Sequence, residues 1–81
     1  MQVGNDFEII IASSPEHERV VAEINYKGKF AVLVSQDHDP GQFDLETPGE
    51  GLVESLIARS VPLDGLLSAI EVARQQLQIS N

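Results

Sequence analysis

Cysteine is absent from the 81 residues, so neither a disulfide framework nor a thiolate zinc site can be built. Tryptophan is also absent, tyrosine occurs once and phenylalanine three times, too few and too scattered for a platform on which nucleic-acid bases stack. Basic residues are scarce: Arg19, Lys27, Lys29, Arg59 and Arg74 stand against thirteen acids, for a net charge of −8. Binding a polyanion needs neutralising Lys and Arg, so nucleic acid is not expected as a ligand. No apolar run approaches the roughly 20 residues that span a bilayer. Residues 1–14, MQVGNDFEIIIASS, lack the basic start of a secretory signal, and the expectation is a cytoplasmic protein with no membrane partner.

Internal repeats and low-complexity tracts are missing as well. Pro- and Gly-containing breaks fall between single elements, which predicts one domain over residues 1–81. Hydrophobic content of 42% is ordinary for a globular chain. At this size the fold is marginal, because domains near 60 residues bury only about 60% of their unfolded surface. Association with a partner would help to stabilise it.

The most informative stretch is residues 20–36, VVAEINYKGKFAVLVSQ, which reads as a β-hairpin. Asn25 and Gly28 suit the first and fourth positions of a type I turn, with Gly28 able to form a left-handed bulge. That turn pairs Asn25 with Lys29, Ile24 with Phe30, Ala22 with Val32 and Val20 with Val34, placing six apolar side chains on one face. A two-residue loop at Lys27-Gly28 would instead set Glu23 against Val32 and mix polar groups into that face. Val21 and Leu33 occupy the second face, which is therefore expected to be partly covered.

On either side the pattern continues. Phe7–Ala12, FEIIIA, reads as a strand antiparallel to the hairpin, reached through a connector in which Ser14 caps a turn begun by Pro15. Residues 37–42 form a turn cluster and residues 43–46 a short strand alternating apolar and acidic. Residues 52–61 suit either a helix face or a strand; Pro62 favours a strand over residues 55–61. The last element is a helix over residues 64–78, with Asp64 as N-cap and Leu66, Leu67, Ile70, Ala73 and Leu77 as its apolar stripe. The predicted fold is α+β, a four- or five-stranded antiparallel sheet with one C-terminal helix packed across one face.

Chemistry-bearing motifs are weak. Asp37, His38 and Asp39 are adjacent, with Asp44 nearby, but they lack the glycine placement and further ligands of a calcium loop, and zinc would require His17 from another connector. No metal or cofactor is expected. His17 and His38 lie among carboxylates, yet general acid/base work needs a nucleophile and an enclosed pocket that one sheet and one helix rarely provide. No catalytic residue is assigned, and the chain is expected not to be an enzyme.

Charge distribution says more. Between Lys29 and Arg59 no basic residue occurs, while Asp37, Asp39, Asp44, Glu46, Glu50 and Glu54 all fall there. A one-signed patch attracts a basic partner, although surplus acid also serves solubility alone.

The pattern SPEH at residues 14–17, EINYKGKFAVLVSQD at 23–37, FDLETPG at 43–49 and VPLDGLLSAIEVARQQL at 61–77 resembles small immunity proteins of bacterial polymorphic-toxin systems, including contact-dependent growth inhibition. The resemblance implies an inhibitor that neutralises a basic toxin by direct binding. The residues expected to meet that partner are the six acids above together with Tyr26 and Leu33. The alternative is a small structural or adaptor domain that homodimerises through the hairpin's outer face or an edge strand.

Overall fold

A computed structural model describes residues 1–39, 42–48 and 53–80; the side chains of His38 and Asp39 also fall outside the description. Five strands, β1 (Gln2–Val3), β2 (Phe7–Ala12), β3 (Val21–Tyr26), β4 (Lys29–Asp39) and β5 (Gln42–Glu46), form one antiparallel meander in the order β1-β2-β3-β4-β5. A 3₁₀ turn at Glu54–Leu56 follows, then the helix α1 (Leu63–Ser80), which lies across β2, β3 and β4. The α+β architecture read from the sequence is the one observed.

The hairpin between β3 and β4 forms where expected but with a different register. Tyr26 pairs with Lys29 and Asn25 with Phe30, so the loop is the two-residue Lys27-Gly28. Both loop residues have positive φ, 50° and 79°, as a type I′ turn requires. Lys27 tolerates this unfavourable region while its N–H donates to the Asp6 carbonyl at 2.8 Å, which ties the tip to the β1–β2 turn.

Ile24 then pairs with Val32, leaving Ala31 as an extra residue in β4. This bulge reconciles the two-residue loop with a clean apolar face. Without it Glu23 would oppose Val32; with it Glu23 opposes Leu33, and Ile24, Val32, Ala22 and Val34 all face the helix. The expected pairings of Asn25 with Lys29, Ile24 with Phe30, Ala22 with Val32 and Val20 with Val34 are therefore corrected, Ala22 meeting Val34 instead, and Phe30 is turned to the opposite face.

Beneath α1 the core consists of Phe7, Ile9, Ala22, Ile24, Val32 and Val34 from the sheet and Ala69, Ala73 and Leu77 from the helix. The helix contacts the sheet along a four-residue stripe. Ala69, Ala73 and Leu77 are wholly buried, and Gly65, one turn earlier, meets the Phe7 ring. Small side chains let the helix axis approach the sheet closely, so the expected stripe is displaced: Leu66 and Ile70 flank the seam and Leu67 is 54% exposed. Asp64 sits inside the first turn rather than capping it, where an acid still suits the positive end of the helix dipole. At the β5 side the Arg74 guanidinium lies 6.0 Å from the centre of the Phe43 ring.

Two further expectations change. Residues 55–61 do not form a strand; the Glu54–Leu56 turn leads to a single bridge in which Ile57 lies beside Phe30 and the Ala58 N–H donates to the Phe30 carbonyl at 2.8 Å. The predicted turn at residues 37–42 is shorter, because β4 continues to Asp39, which pairs with Gln42; Pro40 and Gly41 lie outside the described residues.

Candidate functional site

The sheet face turned away from α1 carries a broad concave surface that sequence and register combine to make. β3 contributes Val21, Glu23 and Asn25, β4 contributes Phe30 and Leu33, and β2 ends there at Ala12. The 3₁₀ turn folds over this face from the far side and adds Val53, Leu56 and Ile57. Together with Ser13 and Ser14 these residues enclose an open groove of about 540 Å³. Val21 and Ile57 are buried in its floor, whereas Val53 and Leu56 on the wall are more than half exposed. The second face of the hairpin is thus partly covered, as expected, and covered by the chain itself.

Acids frame this groove. Glu23 is part of the lining, Glu8 pairs across from Asn25, Glu46 pairs across from Leu33 and Asp44 across from Ser35, so alternation sends all four toward the open face. Among the described residues no Lys or Arg lines it. The cations Lys27, Lys29 and Arg59 collect instead around a smaller cleft of about 300 Å³ at the hairpin tip.

The residues expected to meet a partner are dispersed by the fold. Leu33 lies in the groove, and Asp44 and Glu46 belong to its face as strand residues of β5 rather than loop residues. Glu54, on the 3₁₀ turn, forms an ion pair with Arg59. Tyr26 is on the helix side, its ring 4.8 Å from that of Phe7, so it does not join Leu33. The expected contacts at the Asp39 side chain and at Glu50 lie outside the described residues.

Asp37 is committed elsewhere. The connector between β2 and β3 folds back so that His17 Nδ1 lies 2.5 Å from Asp37 Oδ2 and His17 Nε2 lies 3.0 Å from Glu46 Oε2. The Arg19 backbone N–H donates to the other Asp37 oxygen at 3.3 Å. Locally the connector is shaped by Ser14, whose hydroxyl accepts from the Glu16 N–H at 3.4 Å and whose carbonyl accepts from the His17 N–H at 3.0 Å. That is the turn the Ser14-Pro15 pair predicts.

The imidazole is nearly enclosed, with 11% of its side chain exposed, against 23% for Asp37 and 51% for Glu46. The hydrogen bond to Asp37, reinforced by the charge of both carboxylates, raises the His17 pKa above its ordinary 6.5, with burial opposing. The same hydrogen bond, helped by the Arg19 N–H, holds the Asp37 carboxyl below its ordinary 3.8. Chemically the cluster sets an imidazole between two carboxylates, an arrangement that favours its protonated form. Nothing in the sequence marks it, because His17 and Asp37 are twenty residues apart and belong to different elements.

Among the described residues no group of three or more His, Asp or Glu side chains is placed to hold a metal ion, and no helix is long and apolar enough to cross a membrane. Compared with known proteins, this chain matches no family model, no curated protein and no solved structure.

Proposed function

We propose that this protein is a non-enzymatic protein-binding module whose docking surface is the open face of the sheet, and that its occupant is a basic segment of another protein carrying an apolar anchor. The observation that supports this reading is the combination of an apolar groove floored by Val21, Phe30, Leu33 and Ile57 with a frame of Glu8, Glu23, Asp44 and Glu46. An exposed apolar patch rimmed by polar groups is the usual form of an interaction site. Complementary charge would speed encounter, and burial of the anchor against Leu33 and Phe30 would set the rate of escape. A second copy of the chain is a poorer occupant, because packing two such faces together would set acid against acid.

In the wider reading that the resemblance suggests, the partner is a basic toxin domain and the chain is the cytoplasmic immunity protein that neutralises it. The test is calorimetry against the product of the adjacent reading frame. Stoichiometric binding to a basic toxin domain is the expected result. Leu33→Arg should weaken it by at least about 30-fold, the scale of a buried hot-spot residue. The triple reversal of Glu8, Glu23 and Asp44 to Lys should slow association more than about tenfold at low salt. Binding indifferent to both variants overturns the docking surface, and an adjacent product that is neither basic nor a toxin overturns the immunity role. A tight dimer in sedimentation that Leu33→Arg dissolves would hand the face to a second copy.

A further inference from the structure

We propose that His17 is a proton-controlled clasp: when doubly protonated it fastens the β2–β3 connector to both β4 and β5, and when neutral it keeps β4 and releases β5. The inference rests on the docking surface for its biological meaning, since Ser13 and Ser14 of the same connector wall the groove and Leu33 pairs with Glu46.

The clasp follows from the count of donors and acceptors at the ring. An imidazolium has two N–H donors, and here each nitrogen meets a separate carboxylate, at 2.5 Å and 3.0 Å. A neutral ring has one donor and one lone pair, so it can satisfy only one of the two acids. The other would then face the lone pair at hydrogen-bond distance and be repelled.

Exposure and geometry decide which bond survives. Asp37 is the more enclosed carboxylate, makes the shorter contact and also takes the Arg19 N–H, so its loss would leave more polar atoms unsatisfied. Glu46 is half exposed and can turn to water. The remaining proton therefore stays on Nδ1, and Glu46 leaves.

The charged neighbours do not alter this order. From β4 the imidazole meets Asp37 and from β5 it meets Glu46, with Asp44 two residues away on the same face; its own connector adds Glu16, Glu18 and Arg19. The hydrogen bond to Asp37 and the charges of Asp37 and Glu46 favour the protonated, closed form and raise the His17 pKa against the opposing effect of burial. Opening frees one full negative charge beside Leu33 and loosens the Ser13-Ser14 wall, so a basic occupant would meet a more acidic and more open groove above the transition than below it.

The test needs no partner, so its failure and the failure of the docking reading are distinguishable. Nitrogen-detected NMR of the imidazole, assigned with a His38→Gln variant, is followed from pH 5 to about 9. The expected midpoint for His17 lies above 6.5, with Nδ1 retaining the proton in the neutral ring. Amide exchange of residues 13–19, corrected for intrinsic pH dependence, should quicken by about tenfold across that midpoint. Glu46→Gln, on a half-exposed edge side chain, should lower the midpoint and remove most of the pH dependence of exchange. His17→Gln should exchange rapidly throughout. A midpoint at or below 6.5, a neutral ring protonated on Nε2, or connector exchange that ignores the midpoint overturns the clasp.

Discussion

Replacing Gly65 with alanine sets two effects of similar size against each other. Alanine is the better helix former, worth up to about 1 kcal/mol over glycine within a helix. The new methyl, however, would stand 2.7 Å from Phe7 Cε2, with Cδ2 and Cζ at 3.4 and 3.5 Å. Carbon atoms prefer roughly 3.5–4.0 Å, so the Phe7 ring has to yield. It is 4% exposed, with its centroid 4.8 Å from that of the tilted Tyr26 ring, and overpacking of this kind costs about 1–3 kcal/mol. The balance is a net loss of about 1 kcal/mol, or a fall in Tm of roughly 4–8 °C for a domain of this size.

Thermal unfolding followed by circular dichroism reads the result directly. The control is the same substitution in a Phe7→Leu background, where the ring is gone and Gly65→Ala should be neutral or stabilising. A coupling of about 1 kcal/mol or more between the two sites is expected from residues in contact. If Gly65→Ala alone raises Tm, the close seam of helix on sheet is wrong.

Stability should depend on pH through the clasp. The folded His17 pKa is raised, so its contribution is complete below 6.5 and lost as pH rises through the folded value; the folded Asp37 pKa is depressed, so its contribution is present above 3.8 and lost as pH falls through its folded value. Denaturant midpoints should therefore be highest between these limits, and His17→Gln should flatten the alkaline decline; parallel profiles for the two proteins would contradict this. Phe30→Ala separates the two hairpin registers, since a residue on the open face should cost only about 1–2 kcal/mol whereas one buried under the helix would cost about 3–5. A loss at the larger figure in chemical denaturation would restore the register that pairs Ile24 with Phe30.

Local sequence pattern was sufficient for the hairpin's place, the strand Phe7–Ala12, residues 43–46 of the strand Gln42–Glu46, the C-terminal helix and the α+β class. Each depends on alternation, on turn residues or on helical periodicity within a short window. The Ser14-Pro15 turn was legible for the same reason, as its hydrogen bonds close within three residues.

Three features needed the third dimension. The Ala31 bulge arises because the two-residue turn and the apolar face demand registers one residue apart, and only packing against α1 makes the mismatch worth absorbing. The helix contact runs through Gly65, Ala69 and Ala73 instead of the larger Leu66 and Leu67, since closeness of approach outweighs side-chain size when a helix crosses a sheet. The acids were visible as a sequence patch, but partnership was not: alternation turned Asp44 and Glu46 to the open face, while the fold brought His17 across to Asp37 and Glu46. Charge along the chain is local information, and the neighbour that neutralises or frees each charge is set by strand order and by the path of one connector.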